Sequence, residues 1–224
     1  MLDAEAKKVS PGTKLLGDWQ ALAVQLGCHD GLVSLASASS SSPFGRVRSV
    51  VELRDFLEDY QIRLLIPVEM PAIYRAFWHA RRGEVRELIC LDQELARQPL
   101  LREFARASRR VGQSQLKRLR PMRDQRLIKR YLQAVEAGEA HGWHTLVYGL
   151  TLHLYALPIC QGLASYAQQT LRGFIRAAAP SLQLSEPQCQ ALQGELVGNL
   201  SQPIQNLLNS PERTDGGTRE IGPP

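Results

Sequence analysis

Residues 103–119 read EFARASRRVGQSQLKRL, and residues 138–150 read GEAHGWHTLVYGL. In the first stretch Phe104, Ser108, Gly112 and Leu116 stand four apart, so a helix places them on one face. Small residues at the two middle positions let a neighbouring backbone come close. That close packing offsets the helix-propensity cost of Gly112, about 1 kcal/mol relative to alanine. In the second stretch a turn over Gly138 to Trp143 leads into Leu146, Val147, Leu150 and Leu154. This nearly all-apolar helix is expected at the buried centre. Gly142 and Gly149 are expected to permit the turn and a close helix crossing.

Helical periodicity continues on both sides of this pair. Upstream, Val50, Leu53, Leu57, Tyr60 and Leu64 form one apolar stripe, which Pro67 and Pro71 are expected to end, with Pro71 in the first turn of the next helix. That helix carries Ile73, Phe77 and Trp78 and closes at Gly83. Val85, Leu88, Leu91 and Leu95 mark another, stopping before Pro99, and Leu127, Tyr131 and Val135 a further one after Pro121. Downstream, Pro158 opens a helix with Ile159, Leu163, Tyr166, Thr170 and Phe174 facing inward. Pro187 opens the last, through Leu192, Leu196 and Leu200, and Pro203 is expected to kink or break it. No strand-type alternation appears and no repeat of fixed period emerges. The fold class read from this pattern is all-α, a single-domain bundle of roughly eight to ten helices. Residues 1–14 are expected to form a flexible leader, 15–209 the helical domain with a loop near 36–48, and 210–224 a disordered polar tail.

Composition is ordinary for a globular chain of 224 residues, 44% hydrophobic and 22% charged. No apolar run approaches the roughly 18 residues of a membrane span, and no secretory signal is visible. Cys28, Cys90, Cys160 and Cys189 lie far apart, which speaks against a zinc module or a disulfide framework and for a cytoplasmic protein with reduced thiols. The charge is uneven. From Arg102 to Arg130 eleven Lys and Arg residues face only Glu103 and Asp124. Such a field suits nucleic acid or an acidic protein surface, although aromatic residues do not interleave with it as a stacking platform requires.

Reactive groupings are scarce. His141 and His144 are three apart, but Gly142 between them and the turn-like setting weaken shared ligation, and no carboxylate or cysteine follows at ligand spacing. His79 and His153 lie within helical stretches. Ser108 has no histidine near it in sequence, and its place on a helical face points to packing. Phosphate-binding glycine loops and the Gly-x-Ser-x-Gly elbow are absent from the sequence. The expectation is no catalytic residue, no metal and no cofactor. A helical enzyme using His141 or His144 is the third-ranked reading, behind a nucleic-acid-binding helical protein that uses residues 102–130.

The order of these motifs resembles the urease accessory protein F family. That family carries Glu-x4-Ser-x3-Gly followed by leucine and arginine, matched here by Glu103, Ser108, Gly112, Leu116, Arg118 and Leu119. A Gly-x2-His-Gly-type turn and the start of a buried helix follow, matched by Gly138, His141, Gly142, His144, Val147, Tyr148 and Gly149. The helix after Pro158, with Gln161, Leu163 and Tyr166, is similar to the family's next helix. Gly45-Arg46-Val47 and Val51-Glu52-Leu53 with Phe56-Leu57 resemble its first, and of its Pro-Leu-Gly-Gln-x2-Gly-Gln stretch only Leu184 and Gln190 survive. The family's N-terminal Leu-Pro-x-Gly-Gly-Phe motif is replaced by residues 31–39, and the C-terminal Tyr-Ser-Arg-Leu-Phe-type segment by a Gly/Pro-rich tail.

The resemblance implies a divergent, non-catalytic member that helps assemble the nickel metallocentre of urease. It implies a homodimer that engages urease accessory protein D or H, the GTPase called urease accessory protein G, and apo-urease. Ser108, Gly112, Gly142, His144, Tyr148, Gly149, Tyr166 and Gln190 are the expected interface or partner-binding residues.

Overall fold

The computed structural model describes residues 47–102, 104–119 and 126–210. The leader, residues 15–46 with most of the expected 36–48 loop, Glu103, residues 120–125 with Pro121, and the tail beyond 210 lie outside the described residues. Those described are helical, with no strand among them. No helix among them is long and apolar enough to cross a membrane.

Helix α1 (Val50–Tyr60) starts at Ser49, whose hydroxyl accepts from the Glu52 backbone N–H at 3.1 Å. It buries Leu53, Leu57 and Tyr60, then continues without a break through a π-helical segment, Gln61–Glu69, into α2 (Met70–Arg82). Pro67 therefore does not end this helix. The wider π register absorbs its missing N–H, so a proline expected to separate two helices lies inside one rod. Gly83 closes α2 in the left-handed conformation at φ 71°. Helix α3 (Val85–Ala96) follows, then a short 3-10 turn, Pro99–Leu101, and α4 (Ala105–Arg118). Within the 103–119 stretch the helix thus begins at Ala105.

Beyond it lie α5 (Arg126–Glu136), α6 (His144–Leu154), α7 (Ile159–Leu182), α8 (Glu186–Gly198) and α9 (Ser201–Asn209). The last break falls at Asn199 and Leu200, ahead of Pro203, which then occupies the first turn of α9, where its missing N–H costs nothing. Counted as rods, the described residues form seven, not eight to ten. The run from Val50 to Arg82 is continuous, and α8 and α9 are nearly so.

Helix α6 is the centre. Every residue from His144 to Leu152 is buried, so it has no polar face and must be enclosed on all sides. It packs mainly between α2 and α4, with α7 alongside. Two glycines set these distances. A Cβ on Gly149 would run into the Ile73 carbonyl and lie 3.0 Å from Ala76 Cβ and 3.1 Å from Phe77 N. A Cβ on Gly112 would collide with the Gly142 carbonyl and lie 2.7 Å from His144 N and 2.8 Å from Trp143 C. The obstacles are mostly backbone, so α4 and α2 reach α6 only because both positions lack a side chain.

Candidate functional site

The Gly138–Trp143 turn is held by one carboxylate. Asp92, fully buried on α3, accepts from the backbone N–H of His141 (2.6 Å) and of Gly142 (2.9 Å) and from the Tyr131 hydroxyl (2.7 Å). Its backbone carbonyl accepts from Trp143 Nε1 at 3.1 Å. Gln113 donates to the His141 carbonyl (2.9 Å) and Gln93 to that of Glu139 (3.0 Å). The Ser108 hydroxyl accepts from the backbone N–H of His144 at 3.2 Å. A turn so tied leaves few backbone groups unsatisfied and fixes where α6 begins. Tyr131 is pushed well above the usual tyrosine range, first by burial and then by the Asp92 charge.

A second polar cluster lies inside the bundle. The Tyr60 hydroxyl on α1 donates to the Glu69 carboxylate at 2.7 Å, and both are buried. Tyr166 faces the same carboxylate from α7, at a geometry short of a full hydrogen bond. Burial raises Glu69 from 4.5 to about 7, with the Tyr60 hydrogen bond and the facing Tyr166 hydroxyl opposing the rise. Tyr148 donates to the Gly162 carbonyl at 2.9 Å and lies 5.2 Å, centroid to centroid, from Tyr166. His144 stacks on Tyr166 at 5.8 Å. Neither of its ring nitrogens has a hydrogen-bond partner, and burial lowers it from 6.5 to about 4, so the imidazole is neutral near pH 7.

Of the eight residues expected at an interface, seven are buried within this chain. Ser108, Gly112 and Gly142 form the contact between α4 and the turn, Gly149 the crossing with α2, and His144, Tyr148 and Tyr166 the aromatic cluster. Gln190 is exposed on α8 and donates to Glu186 at 3.3 Å. The rings of His141 and His144 do not converge. His141 sits against Trp143 at 6.3 Å, while His144 points into the core. Among the described residues no group of three or more His, Cys, Asp or Glu is arranged to hold a metal ion.

Asp92 and Glu69 were not singled out from the sequence, yet each left a signal. Asp92 occupies the buried face between Leu88 and Leu95, where the stripe calls for an apolar residue. Glu69 closes the apolar run Leu64-Leu65-Ile66-Pro67-Val68. An acid in an apolar stripe marks a buried network that needs its charge or its acceptors.

The described residues form an all-helical protein whose ordered polar groups lock helices to one another. The chain belongs to the UreF family, whose model matches residues 47–197, from just ahead of α1 through nearly all of α8. UreF proteins are urease accessory proteins, not enzymes. The urease accessory protein UreF of Actinobacillus pleuropneumoniae is 23% identical over 165 residues, covering 74% of this chain and 73% of that protein. Its counterpart in serotype 5b (strain L20) is 22% identical over the same lengths.

Proposed function

We propose that this urease accessory protein acts in the cytoplasm as a non-catalytic co-chaperone for the nickel metallocentre of urease. In this reading it works as a homodimer that binds accessory protein D or H and the GTPase accessory protein G, and presents the complex to apo-urease. One observation carries the reading: the family match runs from the start of α1 through nearly all of α8 rather than over an isolated motif. The physical support is stiffness. A platform that must hold partners in register gains from a central helix enclosed on all sides and from a turn fixed by a buried carboxylate.

Co-expression with the D/H and G proteins, followed by affinity purification and by assay of urease activation with nickel and GTP, tests the proposal. A ternary complex that restores activation is the expected outcome. Absence of binding to D/H and to G, alone and together, refutes it.

A further inference from the structure

We propose that the cleft between α3 and α5, continued by the basic faces of α5 and α4, is a docking site for an acidic amphipathic segment of a partner protein. The cleft has a volume of about 330 Å³. Its apolar lining is Val85, Ile89, Ala134 and Ala137, with Arg86 and Arg130 beside them and Glu139 as the one acid among the lining residues. Val85 and Ile89 are half-buried, packed on the core below yet open to the cleft. Arg86 and Arg130 are exposed, and neither forms an ion pair with another described residue.

The charge does not stop there. Arg126 and Lys129 are exposed on α5. Neighbouring α4 exposes Arg106, Arg110, Lys117 and Arg118 and contains no acid. A mixed lining of aliphatic and guanidinium groups matches a chain segment that alternates leucine-like and carboxylate side chains. The apolar residues occupy the aliphatic surface, and the arginine forks take carboxylates in paired hydrogen bonds. Nucleic acid fits less well. The large aromatics of this region, Phe104, Tyr131 and Trp143, are buried, so no stacking surface accompanies the cations, and an aliphatic cleft contributes nothing to a phosphate backbone.

That the natural occupant belongs to the urease assembly machinery rests on the function proposed above; the chemistry of the cleft does not. The test uses the full chain and two fluorescein-labelled probes: a peptide with glutamates and leucines at helical spacing, and a single-stranded oligonucleotide of equal charge. Anisotropy is read across a salt series. The acidic peptide is expected to bind more tightly than the oligonucleotide. Its affinity is expected to fall about tenfold or more in Arg86→Glu/Arg130→Glu, and to fall when glutamine replaces its glutamates or serine its leucines. Circular dichroism checks that the variant is folded, and the milder Arg86→Gln/Arg130→Gln gives a second reading. Tighter binding of the oligonucleotide, or peptide binding indifferent to both double variants, overturns the proposal. Peptide capture without binding to D/H or G leaves the site standing and removes the proposed function, and the reverse pattern does the opposite.

Discussion

Replacing Glu69 by glutamine isolates a single buried charge. Glutamine keeps an oxygen to accept from the Tyr60 hydroxyl at the same place, so packing and the hydrogen bond survive while ionisation is removed. Glu69 titrates at 4.5 when exposed and at about 7 in the fold. Between those values the folded protein holds a proton that the unfolded chain has released, so stability falls as pH rises and levels off above 7. The difference between the two values corresponds to about 3 kcal/mol. His144 acts in the opposite direction. Its folded value of about 4 against 6.5 means that stability is complete above 6.5 and is lost as pH falls toward 4. Over roughly pH 4.5 to 6.5 the two slopes cancel.

Urea unfolding followed by circular dichroism at closely spaced pH values separates them. Glu69→Gln is expected to gain on the wild type by about 3 kcal/mol between pH 4.5 and pH 8. Between pH 4.5 and 6.5 its own stability is expected to climb, because only the His144 slope remains. His144→Phe removes no hydrogen bond made by the ring and is expected to show the converse, a decline with pH over the same window. The double variant should be flat there. If the Glu69→Gln and wild-type curves run parallel from pH 4.5 to 8, the carboxylate is not buried in the way described and the reasoning fails.

Three further outcomes follow from the packing. Gly112→Ala forces a methyl group into the backbone of the Gly142–His144 segment and is expected to destabilise by about 3 kcal/mol or more in the same urea assay. Gly194→Ala meets open space inside α8 and is expected to stabilise by up to about 1 kcal/mol, the gain in helix propensity. Asp92→Asn substitutes an NH2 donor for one acceptor facing the His141 and Gly142 amides and the Tyr131 hydroxyl. A loss of about 3 kcal/mol is expected, together with faster hydrogen exchange at those two amides. Ser185→Ala removes the hydroxyl of the capping box that Ser185 and Gln188 form at the start of α8. It should cost about 1 kcal/mol and leave the α3–α5 cleft unaffected.

Much of the helical order was legible because local chemistry writes it. The stripes ending at Gly83, starting before Val85 and running inward from Pro158 all follow from side-chain period and from glycine or proline at the ends. Pro67 misled because a proline's effect depends on whether the surrounding helix can change register, and that is decided by what the rod packs against. The Ser185 capping box was legible as Ser-x-x-Gln and went unread.

The sequence by itself determined the class of fold, the burial of the 144–154 helix and the need for small residues at 112 and 149, since period, composition and side-chain size are local properties. Only the tertiary structure decided what those small residues face, because the distance between two backbones is set by every helix packed around them. It likewise decided that His144, Tyr148 and Tyr166 point inward to one another and that Asp92 reaches across to a turn some fifty residues away. A polar residue on an apolar stripe announces that a partner must exist, but desolvation makes that demand without naming the partner.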